Sequence, residues 1–287
     1  MTIHAQGHMH DRRRTIRIRR SALLQSQLDD IDRPSIKIAE TRDELEQAFS
    51  LVYQEYQNMG YITESNPSEI CLSIYHVLPE TTVFIFKSYL TVISTLTQIF
   101  DSNMFGLPMD ALYHGELDAL RNANRKLVEL SALATSNEAR WRNVFMYLAR
   151  AMFWYAMRQR VNDLCITVNP KHVEFYKTIF LFEDLGPEKY YPKVGAPAVA
   201  LRLNLDDIYR KLRQAYSALD FDCDLHSFFD KVTPGALTES DGTDALEKKR
   251  RIMDADTVRY FFIQKTKVLE MATPEQMDYI KSIYLGL

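Results

Sequence analysis

The residue best suited to chemistry is Glu129, a carboxylate inside the apolar run LVELSALA. Burying an ionised carboxylate among apolar side chains is costly, so this group must be paired, hydrogen-bonded, protonated or hydrated. Partial desolvation raises the pKa of a carboxyl group, which makes it a suitable general base near neutral pH. The alternative is a structural Glu at the edge of a sheet, bonded to a nearby Arg. Taken alone, the run LVELSALA leaves both interpretations open.

Other reactive side chains carry weaker signals. Ser131 is not part of a G-x-S-x-G elbow, which favours a small strand residue over a nucleophile. Tyr176 follows Asn169 by seven residues, a position that also suits an aromatic packing a helix on a sheet. The histidines have no sequence neighbours that complete a triad; those considered are His76, His114, His172 and His226. The three cysteines are far apart and form no metal-ligand spacing, which predicts reduced thiols and no metal site.

The elements around Glu129 alternate between strand and helix. The almost continuous apolar run 126–134 predicts a strand that is buried on both faces. Thr135 and Glu138 have capping-box spacing, which predicts a helix from Asn137 to Gln159. Asp163–Val168 is predicted as the next strand and Val173–Phe180 as the next helix. In open α/β sheets, ligands bind at crevices beside the carboxyl ends of strands. The order therefore predicts a crevice that contains Glu129.

The first turn of that predicted helix carries Arg140 and Arg142. Free N–H groups and these two cations would suit an anionic group such as a phosphate. No Walker motif or G-x-G-x-x-G fingerprint is present. An ordinary capped helix with exposed arginines explains the same pattern.

The remaining pattern predicts an α/β fold with three regions. Further strands are predicted at 35–40, 81–86, 90–99 and 196–203, and helices at 41–59 and 109–122. Segments 205–219, 225–230, 255–265 and 274–284 are predicted to be helical. We therefore expect a basic arm (1–34), a core with a mixed sheet flanked by helices (35–204) and a C-terminal helical extension (205–287).

Composition narrows the class of protein. The chain has 287 residues, 46% of them hydrophobic, and a formal net charge of -3, so nothing overall indicates nucleic-acid binding. The segment DRRRTIRIRR (11–20) suggests either an acidic partner or a solvated tail. No apolar run follows it or is long enough to span a bilayer, which favours a cytoplasmic protein.

Two stretches resemble known acyltransferases. NPKHVEFYKTIFLFEDLG resembles the closing N-x-x-A-x-x-x-Y-x-x-x-G-F element of the GNAT acyltransferase superfamily, with Asn169 and Tyr176 on its Asn and Tyr. VELSALAT resembles the E-L-S-R-L-A strand of the acyl-homoserine lactone synthases, with Glu129 on the Glu and Ala132 in place of the Arg. The pyrophosphate loop Q/R-x-x-G-x-G/A is absent. Over residues 35–204 the chain is similar to the N-acyl amino acid synthases, and among them to the N-acyl tyrosine synthases of soil bacteria.

This resemblance implies a reaction and a set of site residues. The expected enzyme is an N-acyltransferase that moves a long-chain acyl group from the phosphopantetheine of acyl carrier protein to the α-amine of an amino acid, with tyrosine expected and no bound cofactor. Glu129 would be the base and Tyr176 the acid for the leaving thiolate. The oxyanion would be bound by backbone N–H groups of a bulged strand, namely Leu130, Ser131, Ala132, Leu133 and Ala134. Side chains expected to line the acyl slot are Phe84, Phe86, Phe153 and Trp154. Residues expected to contact the carrier protein are Arg140, Arg142 and Arg150.

Two other functions fit the sequence. One is a GNAT enzyme that uses acyl-coenzyme A to acylate another amine. The second is a non-catalytic module that binds acyl carrier protein or lipid, with Glu129 in a structural role. The missing glycine-rich loop favours a protein-borne donor over free coenzyme A.

Overall fold

The structure, a computed structural model, describes residues 31–62, 66–140, 144–216, 228–229 and 253–284. The strands are β1 (Pro34–Ile38), β2 (Thr82–Ser88), β3 (Thr91–Phe100), β4 (Leu127–Thr135), β5 (Asp163–Val168), β6 (Glu183–Tyr191) and β7 (Ala196–Asn204). The α-helices are α1 (Arg42–Asn58), α2 (Asp110–Asn122), α3 (Val144–Arg158), α4 (Pro170–Ile179), α5 (Ile208–Tyr216), α6 (Ala255–Arg259) and α7 (Pro274–Ile283). One seven-stranded sheet has the order β1-β2-β3-β4-β5-β7-β6. Within this described sheet, only β4 and β5 are parallel neighbours.

A mixed sheet flanked by helices confirms the predicted fold class, and local signals explain several of its boundaries. Thr41 Oγ1 accepts a hydrogen bond from the Glu44 N–H at 3.2 Å, and Glu44 Oε2 accepts one from the Thr41 N–H at 3.4 Å. This reciprocal pair begins α1 as the capping-box spacing predicts. Between β2 and β3 the chain turns at Tyr89, whose φ of 52° lies in the left-handed region. The strands predicted at 81–86 and 90–99 therefore form an antiparallel hairpin.

The sheet is covered on both faces. Alternate strand residues point to opposite faces, and Phe84 and Phe86 pack in one core cluster with α3, α4 and α5. The intervening Val83 and Ile85 pack in a second cluster with α1. A third cluster places α2 over Leu127 and other residues of the sheet. Helices α1 and α2 thus cover one face, and α3, α4 and α5 cover the other.

The predicted start of the helix after β4 is wrong. Thr135 continues β4, paired with Ser94 of β3, and its Oγ1 lies 2.8 Å from the Ser94 hydroxyl oxygen. The N–H groups of Ala139 and Arg140 then both donate to the Ser136 carbonyl in a tight turn. The first described residue of α3 is Val144. Pairing with β3 overrides the local capping signal, so Thr135 does not begin a helix that could bind an anion.

The sequence also fails to predict β6. This strand contains Gly186 and Pro187 and pairs with β7 through two irregularities of register. It lies at the edge of the sheet, where a proline is tolerated because its missing N–H need not bond to a neighbour. Its weak alternation gave no strand pattern to detect.

The described C-terminal helices pack beside α1. Phe261 contacts Phe49 edge-to-face with ring centroids 5.3 Å apart, and the Tyr284 hydroxyl donates to the Val77 carbonyl at 2.8 Å. Residues 255–265 continue from α6 into a π-helix, Tyr260–Lys265. The predicted boundaries at 34/35 and 204/205 stay predictions. The arm up to residue 30 and most of the segment 217–252 lie outside the described residues.

Candidate active site

A crevice opens where β4 and β5 separate. The two strands pair only over Leu127–Glu129 and Asp163–Cys165. Beyond that point β4 stays with β3 as far as Thr135, while β5 stays with β7 as far as Val168. The carboxyl ends of both strands therefore diverge, and within the described sheet the edges facing the gap have no strand partner. Such an opening leaves backbone donors and acceptors for a ligand.

A β-bulge interrupts β4 at Ala132, three residues beyond Glu129. The register with β3 shifts between Thr95 and Thr97, and Ala132 has a φ of 51°. Left-handed backbone is uncommon for a residue with a Cβ and marks a site where the ladder is interrupted. The bulge lies within the segment predicted to supply oxyanion donors. It turns backbone groups of this segment out of the regular ladder, which is the geometry that the prediction requires.

Glu129 is buried at the start of the crevice. Glu129 is only 4% exposed, and its Oε2 accepts a hydrogen bond from the Met109 N–H at 2.8 Å. Burial raises the pKa of Glu129 to about 8, although the bond from Met109 and the positive charge of Lys193 oppose the rise. Asp110 adds to the rise by like-charge repulsion. Glu129 is thus a carboxyl group that changes protonation near neutral pH.

A network of charges fixes the loop that presents the Met109 N–H. The Arg121 guanidinium donates to both oxygens of Asp101 at 2.8 Å and to both oxygens of Asp110 at 2.6–2.7 Å. Gly106 has a φ of 60°, and a Cβ at this position would lie 2.6 Å from Asp110 Oδ2. The loop between β3 and α2 therefore has little freedom to move the Met109 N–H away from Glu129.

Several tyrosines that the sequence did not single out are within electrostatic range of Glu129. Burial raises the pKa of Tyr75 to about 12, and the charge of Glu129 contributes to this rise. Burial and Glu129 also raise the pKa values of Tyr56 and Tyr191. A Coulomb effect falls with distance, so these phenols lie near the carboxyl group. No local motif identifies them, because they come from α1, from the segment before β2 and from the end of β6.

Tyr176 lies elsewhere. Its ring packs against Phe175, Phe180 and Phe182. It belongs to the cluster that contains Val128, whereas Leu127 and Glu129 point to the opposite face of β4. Burial raises the pKa of Tyr176 to about 12. Its role as the acid for the leaving thiolate stays a prediction.

The predicted acyl-slot residues fall on the face of the sheet that α3 covers. A small apolar cavity lies there, lined by Met152, Phe153, Phe180, Leu203, Leu212 and others. Phe84 and Phe86 belong to the same core cluster but do not line this cavity. Trp154 instead packs under the guanidinium of Arg158, 4.9 Å from the ring centroid. The structure thus gathers only Phe153, of these four, at an internal void.

The predicted carrier-binding arginines have separate environments. Arg140 forms an ion pair with Glu55 of α1, whose side chain is 5% exposed against 44% for that of Arg140. Arg150 stacks over the rings of Tyr147 and Phe228 at 5.3 and 4.6 Å. Arg142 lies outside the described residues. Arg140 therefore has a structural partner that the sequence did not reveal, and the docking role of all three stays a prediction.

The remaining candidates form no second site in the described part of the chain. Cys71 and Cys165 are free thiols, and Cys223 lies outside the described residues. Burial lowers the pKa of His76 to about 4, and its Nδ1 bonds within the turn that begins at Ser73. Among described residues, no group of His, Cys, Asp and Glu could hold a metal ion. No helix in these segments is long and apolar enough to cross a membrane.

This chain is similar in sequence and in fold to known N-acyltransferases. The family model for N-acyl amino acid synthase FeeM matches residues 47–204. The structure of FeeM, an N-acyl amino acid synthase from uncultured soil microbes, is 27% identical with a TM-score of 0.55, and the match covers 62% of this chain and 95% of that one. The CoA-dependent acyl-homoserine lactone synthase BjaI, at 16% identity and a TM-score of 0.53 over 75% of this chain and 98% of that one, has the same fold. No curated protein sequence matches. These findings confirm the resemblance stated from the sequence.

Proposed function

Since this chain belongs to the N-acyl amino acid synthase family and is an N-acyltransferase, we propose that it moves a long-chain acyl group from acyl carrier protein to the α-amine of an amino acid. We expect tyrosine as the acceptor. The observation that carries the proposal is the buried Glu129 at the point where β4 and β5 diverge, with the bulge at Ala132 three residues further along β4. The proposed base and the proposed backbone donors therefore lie beside the same gap between β4 and β5.

The first step is removal of a proton from the acceptor. At neutral pH an α-amine is largely an ammonium ion, which has no lone pair for attack. Ionised Glu129 accepts one proton, and the amine then forms a C–N bond with the thioester carbonyl carbon. A pKa of about 8 suits this task, because the group is ionised in part of the molecules at neutral pH and holds the proton well once it is transferred.

The second step is collapse of the tetrahedral intermediate. Its oxyanion would accept hydrogen bonds from backbone N–H groups of Leu130–Ala134, a kind of contact that contributes about 10²- to 10³-fold to rate per donor. The nitrogen, which carries a positive charge after the attack, releases its extra proton to solvent. The C–S bond then breaks, which leaves the amide, and the pantetheine thiolate takes up a proton. Tyr176 remains our candidate for this acid. Tyr75 and Tyr191 become alternatives, because both lie close enough to feel the charge of Glu129.

The acyl chain would extend to the face of the sheet covered by α3. The cavity lined by Phe153, Phe180 and Leu212 is apolar and adjoins Leu164 of β5, the strand that borders the opening. It is small, so a long chain must displace some of these side chains. Because α5 contributes part of the wall, a shift of this one helix would widen the slot.

The donor is proposed to be protein-borne. The sequence lacks the glycine-rich loop that binds a pyrophosphate, and the described segment directly after β4 forms a tight turn around Ser136. Both features disfavour binding of free coenzyme A through its pyrophosphate. Phosphopantetheine on acyl carrier protein has no such pyrophosphate and brings an acidic surface, which the Arg140, Arg142 and Arg150 side chains could meet.

One competition experiment tests the proposal. The protein is incubated with long-chain acyl carrier protein or with the matching acyl-coenzyme A, together with all twenty amino acids, and products are identified by mass spectrometry. We expect N-acyl tyrosine with the carrier-borne donor and none with Glu129→Gln. A different acylated amino acid would change only the acceptor. Turnover with acyl-coenzyme A alone would overturn the proposed donor, and no acylated amino acid with either donor would overturn the proposed function.

A further inference from the structure

The hairpin formed by β6 and β7 has its turn at the same edge of the sheet as the crevice. Because β7 runs antiparallel to β5, pairing Val199 with Val168, the turn before β7 lies beyond the carboxyl end of β5. This is the same edge of the sheet at which β4 and β5 diverge. The turn is the short 3-10 segment Pro192–Val194, which ends at Gly195 with a φ of 62°. The hairpin tip, Lys193, is therefore at the mouth of the candidate active site.

The hairpin is held on α2, the helix that begins beside Glu129. The Tyr113 hydroxyl contacts the carbonyls of Pro187 and Ala198 at 3.0 and 2.8 Å. Lys189 Nζ donates to Glu116 at 2.9 Å and to a backbone carbonyl of α2 at 2.7 Å. These contacts bind both strands of the hairpin, so its tip has a defined position relative to the base. Tyr191, two residues after Lys189, points to the same face.

Lys193 places a cation without a salt-bridge partner among the described residues at the hairpin tip. Lys193 is exposed at this tip, and its charge lowers the pKa of both the buried Glu129 and the partly buried Cys71, so both side chains are within electrostatic range of its ammonium group. Among the described residues it forms no salt bridge, whereas Lys189 on the same hairpin does. A cation held near a buried base without a partner carboxylate suits an anionic ligand.

The wall between Lys193 and Glu129 is polar and aromatic. The phenols of Tyr56, Tyr75 and Tyr191 are within electrostatic range of Glu129, and Tyr75 packs against the core clusters of both α1 and α2. Thr167 of β5 adds a buried hydroxyl that has no hydrogen-bond partner within the described segments. Thr167 shares the face of Cys165, which packs in the same cluster as α2. A buried hydroxyl without a partner is costly, so a ligand that bonds to it would gain affinity.

We propose that Lys193 binds the α-carboxylate of the acceptor amino acid, with its side chain against the tyrosines and its amine directed at Glu129; this rests on the proposed function. The ammonium and carboxylate groups of an α-amino acid are attached to one carbon. A ligand that places its ammonium group at Glu129 must therefore place its carboxylate within a few ångströms of Glu129. Lys193 is the cation at that position, and it distinguishes an amino acid from a simple amine.

The test compares tyrosine with tyrosinamide, which has no carboxylate. Lys193→Met keeps the length of the side chain but removes its charge. Because the charge of Lys193 also lowers the pKa of Glu129, rates are compared at pH 9, where most molecules hold ionised Glu129. At that pH we expect the KM for tyrosine to rise by at least about 10-fold, with kcat and the KM for the acyl donor within about 2-fold of wild type. For tyrosinamide the wild type and Lys193→Met should have the same kcat/KM. Lys193→Arg should recover most of the affinity for tyrosine.

The matched control is Lys171→Ala, which removes an exposed cation from α4 at the same edge of the sheet, on the opposite face. It should leave the KM for tyrosine unchanged. An unchanged KM for tyrosine in Lys193→Met, or equal losses for tyrosine and tyrosinamide, would overturn this assignment while the proposed function stands. If wild-type protein produced no N-acyl amino acid, the proposed function would fall and this assignment with it.

Discussion

Replacing Glu129 by Gln removes the ionisable carboxyl group and keeps nearly the same side-chain shape. The amide oxygen of Gln can still accept the hydrogen bond from the Met109 N–H, now at 2.8 Å to the carboxylate. The proton-accepting group is lost. General bases contribute about 10²- to 10⁴-fold to rate, so we expect kcat to fall by at least about 10²-fold. In the wild type, with a pKa of about 8, roughly a tenth of the molecules hold ionised Glu129 at pH 7 and roughly nine tenths at pH 9.

The same pKa makes a prediction about stability. The folded state holds the Glu129 proton up to about pH 8, whereas the unfolded state releases it near the ordinary glutamate pKa of 4.5. Between these two values the folded protein binds more protons, so the free energy of unfolding falls as pH rises. A tenfold difference in proton affinity corresponds to about 1.4 kcal/mol, which sets a ceiling of about 5 kcal/mol on the loss. Glu129→Gln lacks this loss and should be the more stable protein at pH 9.

Urea unfolding of both proteins from pH 5 to pH 9, without substrate, measures this difference. The acceptor's ammonium group titrates in the same range and would also raise kcat/KM with pH, so the rate profile alone does not identify Glu129. The substrate-free series isolates the carboxyl group. A stability difference between the two proteins that does not vary with pH would refute the burial argument. Near wild-type turnover in Glu129→Gln would remove this residue as the base.

Three further changes test other parts of the site. Arg140→Ala leaves the buried Glu55 without its cation, and we expect the free energy of unfolding to fall by about 1–3 kcal/mol, the cost of a buried polar group without a partner. Adding Glu55→Gln should recover this loss; additive losses in urea unfolding would contradict the pairing. Gly106→Ala forces a Cβ against Asp110, and both thermal stability and kcat should fall; wild-type values for both would refute the rigid-loop argument. Leu212→Ala enlarges the apolar cavity and should shift products toward longer acyl chains in mass spectrometry; an unchanged product distribution would place the chain elsewhere.

The ion pair between Arg140 and Glu55 affects how carrier docking is measured. A loss of activity in Arg140→Ala combines any docking effect with a structural one. Arg140→Lys keeps a cation for Glu55 but loses the bidentate geometry that suits phosphate. A higher KM for acyl carrier protein in Arg140→Lys, with unchanged unfolding free energy, would therefore support docking. An unchanged KM across salt concentrations would contradict it.

Local signals in the sequence identify most elements of the sheet and the central carboxylate. Alternation and apolar runs depend on neighbouring residues alone, so β2, β3, β4, β5 and β7 are predicted near their observed bounds. The charge of Glu129 inside an apolar strand requires an explanation whatever the fold. By contrast, β6 lies at an edge of the sheet and contains Gly186 and Pro187. These two residues interrupt the alternation of apolar and polar side chains from which a strand is predicted.

Contacts with other segments determine features that local sequence signals do not predict. Thr135 has the spacing of a helix cap, yet it extends β4 because Ser94 of β3 lies beside it. The pKa of Glu129 near 8 requires burial beneath α2 and the loop that presents the Met109 N–H. Both segments precede β4 in the chain, Met109 by 20 residues from Glu129, and no local pattern shows that they fold back over the carboxylate.

The order of residues was enough to place a carboxylate on a central strand of an α/β acyltransferase fold. The surroundings of that carboxylate emerge only in the folded chain, with Tyr75, Tyr191 and Lys193 on one side and Tyr176 on the other face of the sheet. Strand alternation assigns each side chain to a face, while the order of strands in the sheet sets which distant segments share that face. Burial and charge, and hence the reactivity of Glu129, follow from the strand order because the groups around it come from segments far away in sequence.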